Sequence, residues 1–453
     1  MKTPSRRLYD LIHALDRSEK RYCKLALVAK DPEAKYARLF DLIDAQADFD
    51  DEALLHAIYG EEPPKSQKFS ELKAYLYNFL LSCLQQYDER QSVDHRLKNM
   101  LASVHALFRR SLFDDCRYVL RKARKLAEPY ERFATLLEIY DWERRLAYAR
   151  TDFDFLDEHL AALHREEEQR LAQLTNFRTY QELFYELYLV TGKNRLSAEE
   201  QSLRVQALSE HPLLTDPAAA RSHGARVWRG RILAVLAYFR RDLEDFYAES
   251  KALIELLESR PKLLREDVSI FIAALSNYAV SCGYLGRYAE LRRTLAKLRA
   301  VRPRTMDDRV KIHRQYYSNY FRLCIESGNF SEGLAVLEEH LREAEQLDQR
   351  SFARGTYFFQ YFYIYFGAER YDEALHYLNQ WLDLPRSVEQ QDLQSLARLL
   401  NLILHHEMDN QLLLSSLLRS TERHLRKRRR MMAFEALLLG CLRQVNRATS
   451  QRE

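Results

Sequence analysis

The chain has 453 residues, and its 70 Lys and Arg against 66 Asp and Glu give a net charge of +4. This balance excludes a general polyanion-binding protein, and the length exceeds the roughly 250–300 residues at which a single hydrophobic core stops growing. Eleven glycines and ten prolines are too few for the turns of many β-strands. The composition therefore predicts a long helical protein built from several packed units.

Residues 1–90 show an apolar periodicity that predicts five helices, at 4–15, 17–29, 33–46, 51–59 and 66–88. We interpret them as a helical domain that caps the rest of the chain. The alternative is a helix–turn–helix, similar in outline to the winged-helix domains that precede helical repeats in some bacterial transcription activators. Basic side chains of the last helix then approach phosphates, and polar ones reach base edges. The residues concerned are Lys65, Lys68 and Lys73, and Gln67 and Ser70.

From residue 91 to residue 450, a short phrase recurs between apolar helical stretches. It consists of a small residue, an aromatic residue two positions later and an acid two positions after that. Weaker copies begin at Ser111, Thr151 and Arg241, and clear copies begin at Gly286, Gly328 and Glu369. The last four copies are 45, 42 and 41 residues apart, and the first two are 40 apart. A fixed period in this range predicts stacked helical hairpins.

Each position of the phrase has a physical reason. The small residue permits the left-handed backbone that ends many helices. The aromatic residue fills the junction between two helices, and the acid complements the positive N-terminus of the second helix. Seven residues before the three clear small positions, the pattern predicts residues that face the partner helix: Ala279, Phe321 and Phe362.

The stretch from Asn277 to Glu290, closed by Pro303, resembles the motif of the tetratricopeptide repeat family nearly position by position. The units are longer than the family's usual length of about 34 residues, as in longer TPR-like helices. The opening from Leu8 to Tyr22 is also similar to uncharacterised repeat proteins of Bacteroidota-type bacteria. The resemblance implies an all-α, right-handed α-solenoid of about eight TPR-like hairpins.

In this family the concave groove takes extended peptides or helices, so the resemblance implies a protein or peptide partner. The run 357–366 holds eight aromatic residues in ten positions. A helix that is apolar all round is typical of a core between two layers; the other interpretation places one of its faces in the groove, where aromatic residues and arginines anchor a partner. The predicted groove residues are Trp228, Arg231, Tyr238, Asn277, Tyr284, Ser318, Asn319, Arg322, Phe359, Tyr363 and Phe366. Asn277 and Asn319 match the family's backbone-gripping asparagine.

Two segments are rich in basic residues. Segment 287–314 has ten Lys and Arg against three acids, and segment 423–430 has six basic residues. We interpret both as solvated helix faces. The alternative is a patch for nucleic acid or an acidic partner, with an affinity that falls as salt rises. Its candidate residues are Arg426, Lys427, Arg428, Arg429 and Arg430.

No GxGxxG, GxxxxGK(S/T) or HExxH motif occurs, and the six cysteines are dispersed without a CxxC pair. The histidines at 405–406 and 159–164 do not share one helix face, so they make poor metal sites. We therefore predict no cofactor, no metal ion and no catalysis, with an enzyme that has a dispersed site as an alternative. The sequence has no run near the ~18 apolar residues of a membrane helix and no apolar signal run after Met1, which favours a cytoplasmic protein.

The sequence thus predicts a non-catalytic scaffold that binds a protein or peptide segment in the groove of a solenoid. The alternative is a DNA-binding transcriptional regulator, with a helix–turn–helix-like domain in residues 1–90 and a TPR-like sensor array in residues 91–450. The sequence carries no signal for an oligomeric state.

Overall fold

The computed structural model describes residues 6–30, 35–60, 66–89, 92–192, 197–345, 347, 355–383, 391–427 and 433–450. Within these ranges every regular element is a helix and no strand occurs, so the predicted all-α class is confirmed. The chain divides into two compact units, Met1–Thr175 and Asn176–Glu453. No helix of the described ranges is long and apolar enough to cross a membrane.

The first unit begins with five helices that match the predicted ones to within a few residues. The helices of this unit are α1 (Arg7–Ala14), α2 (Arg17–Lys30), α3 (Lys35–Ala45), α4 (Asp51–Tyr59), α5 (Ser66–Glu89), α6 (Val93–Phe108), α7 (Phe113–Ala127), α8 (Phe133–Arg150) and the start of α9 (Phe153–Gly192), with a 3-10 turn at Glu128–Tyr130. The boundary between the two units falls within α9.

The second unit continues with helices of 4 to 22 residues. They are α10 (Ala198–Ser209), α11 (Pro212–Thr215), α12 (His223–Phe239), α13 (Leu243–Glu258), α14 (Pro261–Glu266), α15 (Val268–Tyr284), α16 (Tyr288–Arg299), α17 (Met306–Ser327), α18 (Phe330–Ala344), α19 (Gly355–Gly367), α20 (Tyr371–Leu382), α21 (Gln391–Glu407), α22 (Gln411–Lys427) and α23 (Ala433–Ser450), with a 3-10 turn at Pro217–Ala219.

The first unit has two hydrophobic clusters. One joins α1 to α5, with Ile12, Phe40 and Leu76 fully buried. The other joins α6, α7, α8 and the start of α9, with Tyr140 fully buried. The domain boundary predicted near residue 90 falls between these clusters, although both belong to one compact unit. That boundary stays a prediction.

Eight helix junctions in the described ranges share one backbone geometry. A residue with φ between +52° and +70° ends the first helical segment, and the next helix begins two residues later. The N–H of this residue donates a hydrogen bond to the carbonyl three residues earlier. The N–H of the next residue donates to the carbonyl five residues before it, which is the Schellman motif. The left-handed residues are Ser111, Glu131, Thr151, Arg241, Gly286, Gly328, Glu369 and Asp409. All six positions predicted from the phrase are among them; Glu131 and Asp409 were not predicted.

In the second unit, every helix from α12 to α23 packs against the next helix along the chain. In addition α15 packs against α17, and α17 packs against α19, so the first helices of successive hairpins are neighbours. Ala279 and Phe321 have no exposed surface and Phe362 is 1 % exposed, which confirms that these three residues face neighbouring helices. At the ends of α12 and α15, the rings of Tyr238 and Tyr284 are neighbours.

Candidate functional site

A cleft of about 1060 Å³ opens in the second unit between α10 and the ends of α12 and α15. One wall is polar and comes from α10. The opposite wall is aromatic and cationic and comes from the last turn of α12, the turn that follows it, and the end of α15. The residues of the polar wall are Gln201, Ser202, Val205, Gln206, Ser209 and Glu210, and those of the opposite wall are Tyr238, Phe239, Arg240, Arg241, Leu243 and Tyr284.

The aromatic wall exists because α12 ends there. The left-handed backbone at Arg241 stops the helix, and the Asp242 side chain then accepts a hydrogen bond from the N–H of Asp245 to begin α13. Tyr238 and Tyr284 are 39 % and 42 % exposed, and their ring centroids are 6.2 Å apart. Two neighbouring aromatic rings therefore face the cleft, and each keeps a substantial exposed surface.

Three guanidinium groups belong to this wall or border it, those of Arg240, Arg241 and Arg322. Arg240 forms an ion pair with Asp245 at 3.0 Å. Arg322 lies 5.3 Å from the centroid of the Tyr284 ring, and its Nη1 is buried without a hydrogen-bond partner. The side-chain hydrogen bond with Tyr284, followed by burial, raises the pKa of Tyr238, so its hydroxyl stays protonated at neutral pH. The wall thus offers hydrogen-bond donors beside its aromatic surface.

Trp228 and Arg231 lie on the same helix as Tyr238. The Arg231 guanidinium is 4.1 Å from the centroid of the Trp228 ring and 4.2 Å from that of Phe184 on α9. Trp228 is mostly buried, whereas Arg231 is half-buried. Of the predicted groove residues, Tyr238 and Tyr284 line the cleft directly, and Arg322 contacts the Tyr284 ring. Arg231 lies seven residues before Tyr238 on α12.

The two predicted asparagines differ in their surroundings. Asn319 is buried, and its Nδ2 donates to the Ser276 hydroxyl at 3.1 Å and to the Gln315 carbonyl at 2.7 Å. Because Ser276 belongs to α15 and Gln315 to α17, this amide joins two neighbouring hairpins. Asn277 is half-buried on α15. Ser318 lies near Gln360, whose Nε2 donates to the Ser318 carbonyl at 2.9 Å.

The three predicted groove residues of the aromatic run are half-buried and belong to the hydrophobic cluster around α17 to α21. The Phe359 ring lies 4.5 Å from that of Trp381, and the Phe366 ring stacks on Phe362 at 5.6 Å. Burial raises the pKa of Tyr363. The structure therefore places Phe359, Tyr363 and Phe366 against this core, and none of them lines the cleft.

Half of the ten basic side chains of segment 287–314 pair with carboxylates of other helices, namely Arg287, Arg292, Lys297, Arg299 and Arg304. Arg299 contacts Glu339 at 2.9 Å and Glu343 at 2.5 Å, and both Arg292 terminal nitrogens contact Glu332 at 2.6 Å. These contacts leave fewer cations free to meet phosphates. They also tie α16 to α18.

The C-terminal basic segment is described only as far as α22 reaches. Arg426 is exposed and pairs with Glu422 at 2.7 Å, and Arg419 and Arg423 border the same shallow depression of about 470 Å³. The candidate residues Arg428, Arg429 and Arg430, and the side chain of Lys427, lie outside the described part of the chain.

In the N-terminal alternative, Lys73 was expected to approach phosphates. It instead pairs with Asp51 at 2.6 Å, packs on the Phe69 ring, and is only 14 % exposed. Lys68, Gln67 and Ser70 are exposed on α5. Lys65 lies outside the described residues.

No family model matches the chain, and no curated protein is significantly similar to it. Five of the six cysteines are buried and Cys441 is exposed, and all six are free thiols. Among the described residues, no three His, Cys, Asp or Glu side chains gather as ligands for a metal ion.

Proposed function

We propose that this chain is a non-catalytic scaffold that binds a protein or peptide segment in the cleft beside Tyr238 and Tyr284. The scaffold would be a right-handed TPR-like solenoid, and the repeated junction geometry of its hairpins supports that arrangement. Hairpins joined by the same turn stack with a similar rotation each time, which creates a continuous inner surface on which a partner segment can lie.

The observation that carries the proposal is the pair of exposed rings at the cleft. Aromatic side chains bury about 150–250 Å² each and lose few rotamers, so they are frequent anchors in binding surfaces. The facing wall from α10 presents amide and hydroxyl groups, including Gln201, Ser202 and Gln206. A peptide backbone needs such partners for its own N–H and C=O groups. The cleft combines both requirements.

The test is selection of a random dodecapeptide library, displayed on phage, with the purified full-length chain. We expect a related family of sequences to be enriched and their binding to be lost in the variant with Tyr238→Ala and Tyr284→Ala. The matched control is Tyr148→Ala, because Tyr148 is an exposed tyrosine outside the cleft. No enrichment, or retained binding in a double variant that remains folded by circular dichroism, would reject the proposal.

A further inference from the structure

Arg231 is a half-buried cation without an acidic partner. Its guanidinium lies in the notch between the Phe184 and Trp228 rings, whose centroids are 5.0 Å apart. Within the described residues, its recorded contacts are these two rings, and no carboxylate lies within ion-pair distance. The contacts that hold the arginine are therefore these two ring faces, and its N–H groups are available for hydrogen bonds.

Burial of the Arg231 charge costs free energy, and a bound anion would offset that cost. Burial lowers its pKa, and the carboxylate of Asp267 and then the phenol of Tyr185 oppose this effect. Asp267 is also the N-cap of α15, where its side chain accepts a hydrogen bond from the N–H of Ile270 at 3.4 Å. A buried charge that lacks a counter-ion costs free energy, and a planar guanidinium is suited to two parallel hydrogen bonds with a carboxylate.

The separation of Arg231 and Tyr238 along α12 determines how far apart their two contacts on a bound segment must be. Arg231 and Tyr238 are seven residues apart on α12, so they lie on one face, about 10 Å apart along the helix axis. A peptide in the polyproline II conformation advances about 3.1 Å per residue with three residues per turn, so its side chains three positions apart lie on one face. A segment that runs along this face would therefore pass from Arg231 to Tyr238 in about three residues.

We infer that the bound segment carries an acidic side chain on Arg231, three positions from an apolar or aromatic side chain that packs on Tyr238 and Tyr284. This inference rests on the proposed function and adds the chemistry of the partner to it. The partner is a protein with an exposed, extended segment of that composition. The stacked guanidinium provides selectivity for the acid, and the two tyrosine rings provide the apolar contact.

The probes are fluorescein-labelled dodecapeptides of Gly and Ser that contain one Glu and one Phe. In two probes these residues are three positions apart, in either order; in a third they are six apart; in a fourth, Gln replaces Glu. Fluorescence anisotropy is measured with the full-length chain and with Arg231→Gln. The control is Arg226→Gln, because Arg226 is an exposed arginine on a different face of α12.

We expect one of the two three-position probes to bind more tightly than the other probes. Arg231→Gln, or Gln for Glu in the peptide, should each weaken binding about tenfold, as expected for loss of a charged hydrogen bond. Both changes together should weaken it no more than either alone, because they remove one contact. Arg226→Gln should have no effect. The peptide change uses the unaltered protein, so it remains informative if Arg231→Gln does not fold.

Two kinds of failure are distinguishable. If selected library peptides bind in a Tyr238-dependent way, but the three-position probes do not bind or bind independently of Arg231, this inference is wrong and the peptide-binding function stands. If neither library peptides nor probes bind the folded chain, both proposals are wrong.

Discussion

The hydroxyl of Tyr278 donates a hydrogen bond to the carboxylate of Glu290, 2.6 Å away, and so joins α15 to α16. The same relationship recurs in the next hairpin, where Tyr320 donates to Glu332 at 2.8 Å. In both cases the tyrosine stands eight residues before the left-handed glycine and the acid four residues after it. Tyr247 of α13 also donates to Glu290, at 2.7 Å. The acid of the recurring phrase thus joins three helices.

Tyr278→Phe should lower the free energy of unfolding by about 1.5 kcal/mol, since a hydrogen bond to a charged group is lost. Urea unfolding followed by circular dichroism at neutral pH measures this change. The control is Tyr118→Phe, whose ring is exposed, and equal effects of the two substitutions would contradict the role of this contact.

The Tyr278→Phe effect should also depend on pH. The hydrogen bonds from Tyr278 and Tyr247 lower the pKa of Glu290 below its ordinary value of 4.5. The stability that this carboxylate contributes is therefore present above pH 4.5 and is lost as pH falls through its lower folded value. The difference between the wild type and Tyr278→Phe should shrink over that acidic range; a constant difference would argue against a charged acceptor.

Thr151→Gly should stabilise the protein by about 1 kcal/mol. Thr151 has φ of +56°, and a β-branched residue is strained in this left-handed conformation, which glycine adopts freely. The matched substitution is Gly328→Ala, at φ of +70°, where an added Cβ would meet no atom within 4 Å. It should destabilise by a similar amount, because only backbone strain changes. Thermal unfolding of both variants gives the comparison, and shifts of the same sign would refute the explanation.

Gly367→Ala should destabilise the protein by about 1–3 kcal/mol, as overpacking does in well-packed sites. A Cβ at the end of α19 would overlap the ring of Phe330, the aromatic residue of the phrase that begins at Gly328. Gly440→Ala is the control within a helix, because its Cβ would meet nothing within 4 Å. That change should stabilise by up to about 1 kcal/mol through helix propensity. Chemical unfolding of the two variants should therefore move in opposite directions.

His313 and His340 form a buried hydrogen-bonded pair that the sequence analysis missed. Their Nε2 and Nδ1 atoms are 2.9 Å apart, and the other ring nitrogen of His340 lies 2.5 Å from the Tyr361 hydroxyl. Burial lowers the pKa of both, to about 3 for His340, while Glu343, 3.4 Å from His313, opposes the shift there. Both rings are therefore neutral in the folded protein at neutral pH.

Because the pKa of His340 is lowered in the folded protein, we expect the free energy of unfolding to fall on acidification. Below about pH 6.5 the unfolded chain binds a proton at this histidine and the folded chain does not, so stability falls by about 1.4 kcal/mol per pH unit for this group until its folded pKa is reached. His340→Phe should flatten the pH dependence of the unfolding free energy between pH 6 and 4, whatever its effect at neutral pH. The control substitution is His376→Phe, at an exposed histidine of the same unit, and His340→Phe should flatten the slope more than it does. Equal slopes for wild type and His340→Phe would exclude this assignment.

The sequence by itself determined the features that depend on local backbone chemistry. The helix class, the five N-terminal helices and six of the left-handed junctions follow from apolar periodicity and from the residues that end and begin helices. The left-handed junctions at Glu131 and Asp409 were not predicted, because an acidic residue gives no distinctive sequence signal for a left-handed turn. The burial of Phe321 and Phe362 was also predictable, since their spacing from the turn places them on the packed side of a helix.

Only the tertiary structure decided which side chains meet. Arg231 rests on Phe184, 47 residues earlier in the chain, and Lys73 binds Asp51 rather than facing solvent. The aromatic run 357–366 is consistent with a core or a groove in sequence, and its half-buried rings lie against a core. Such contacts depend on the distance and rotation between packed helices. Those quantities arise from the summed packing of many side chains, so no local pattern encodes them.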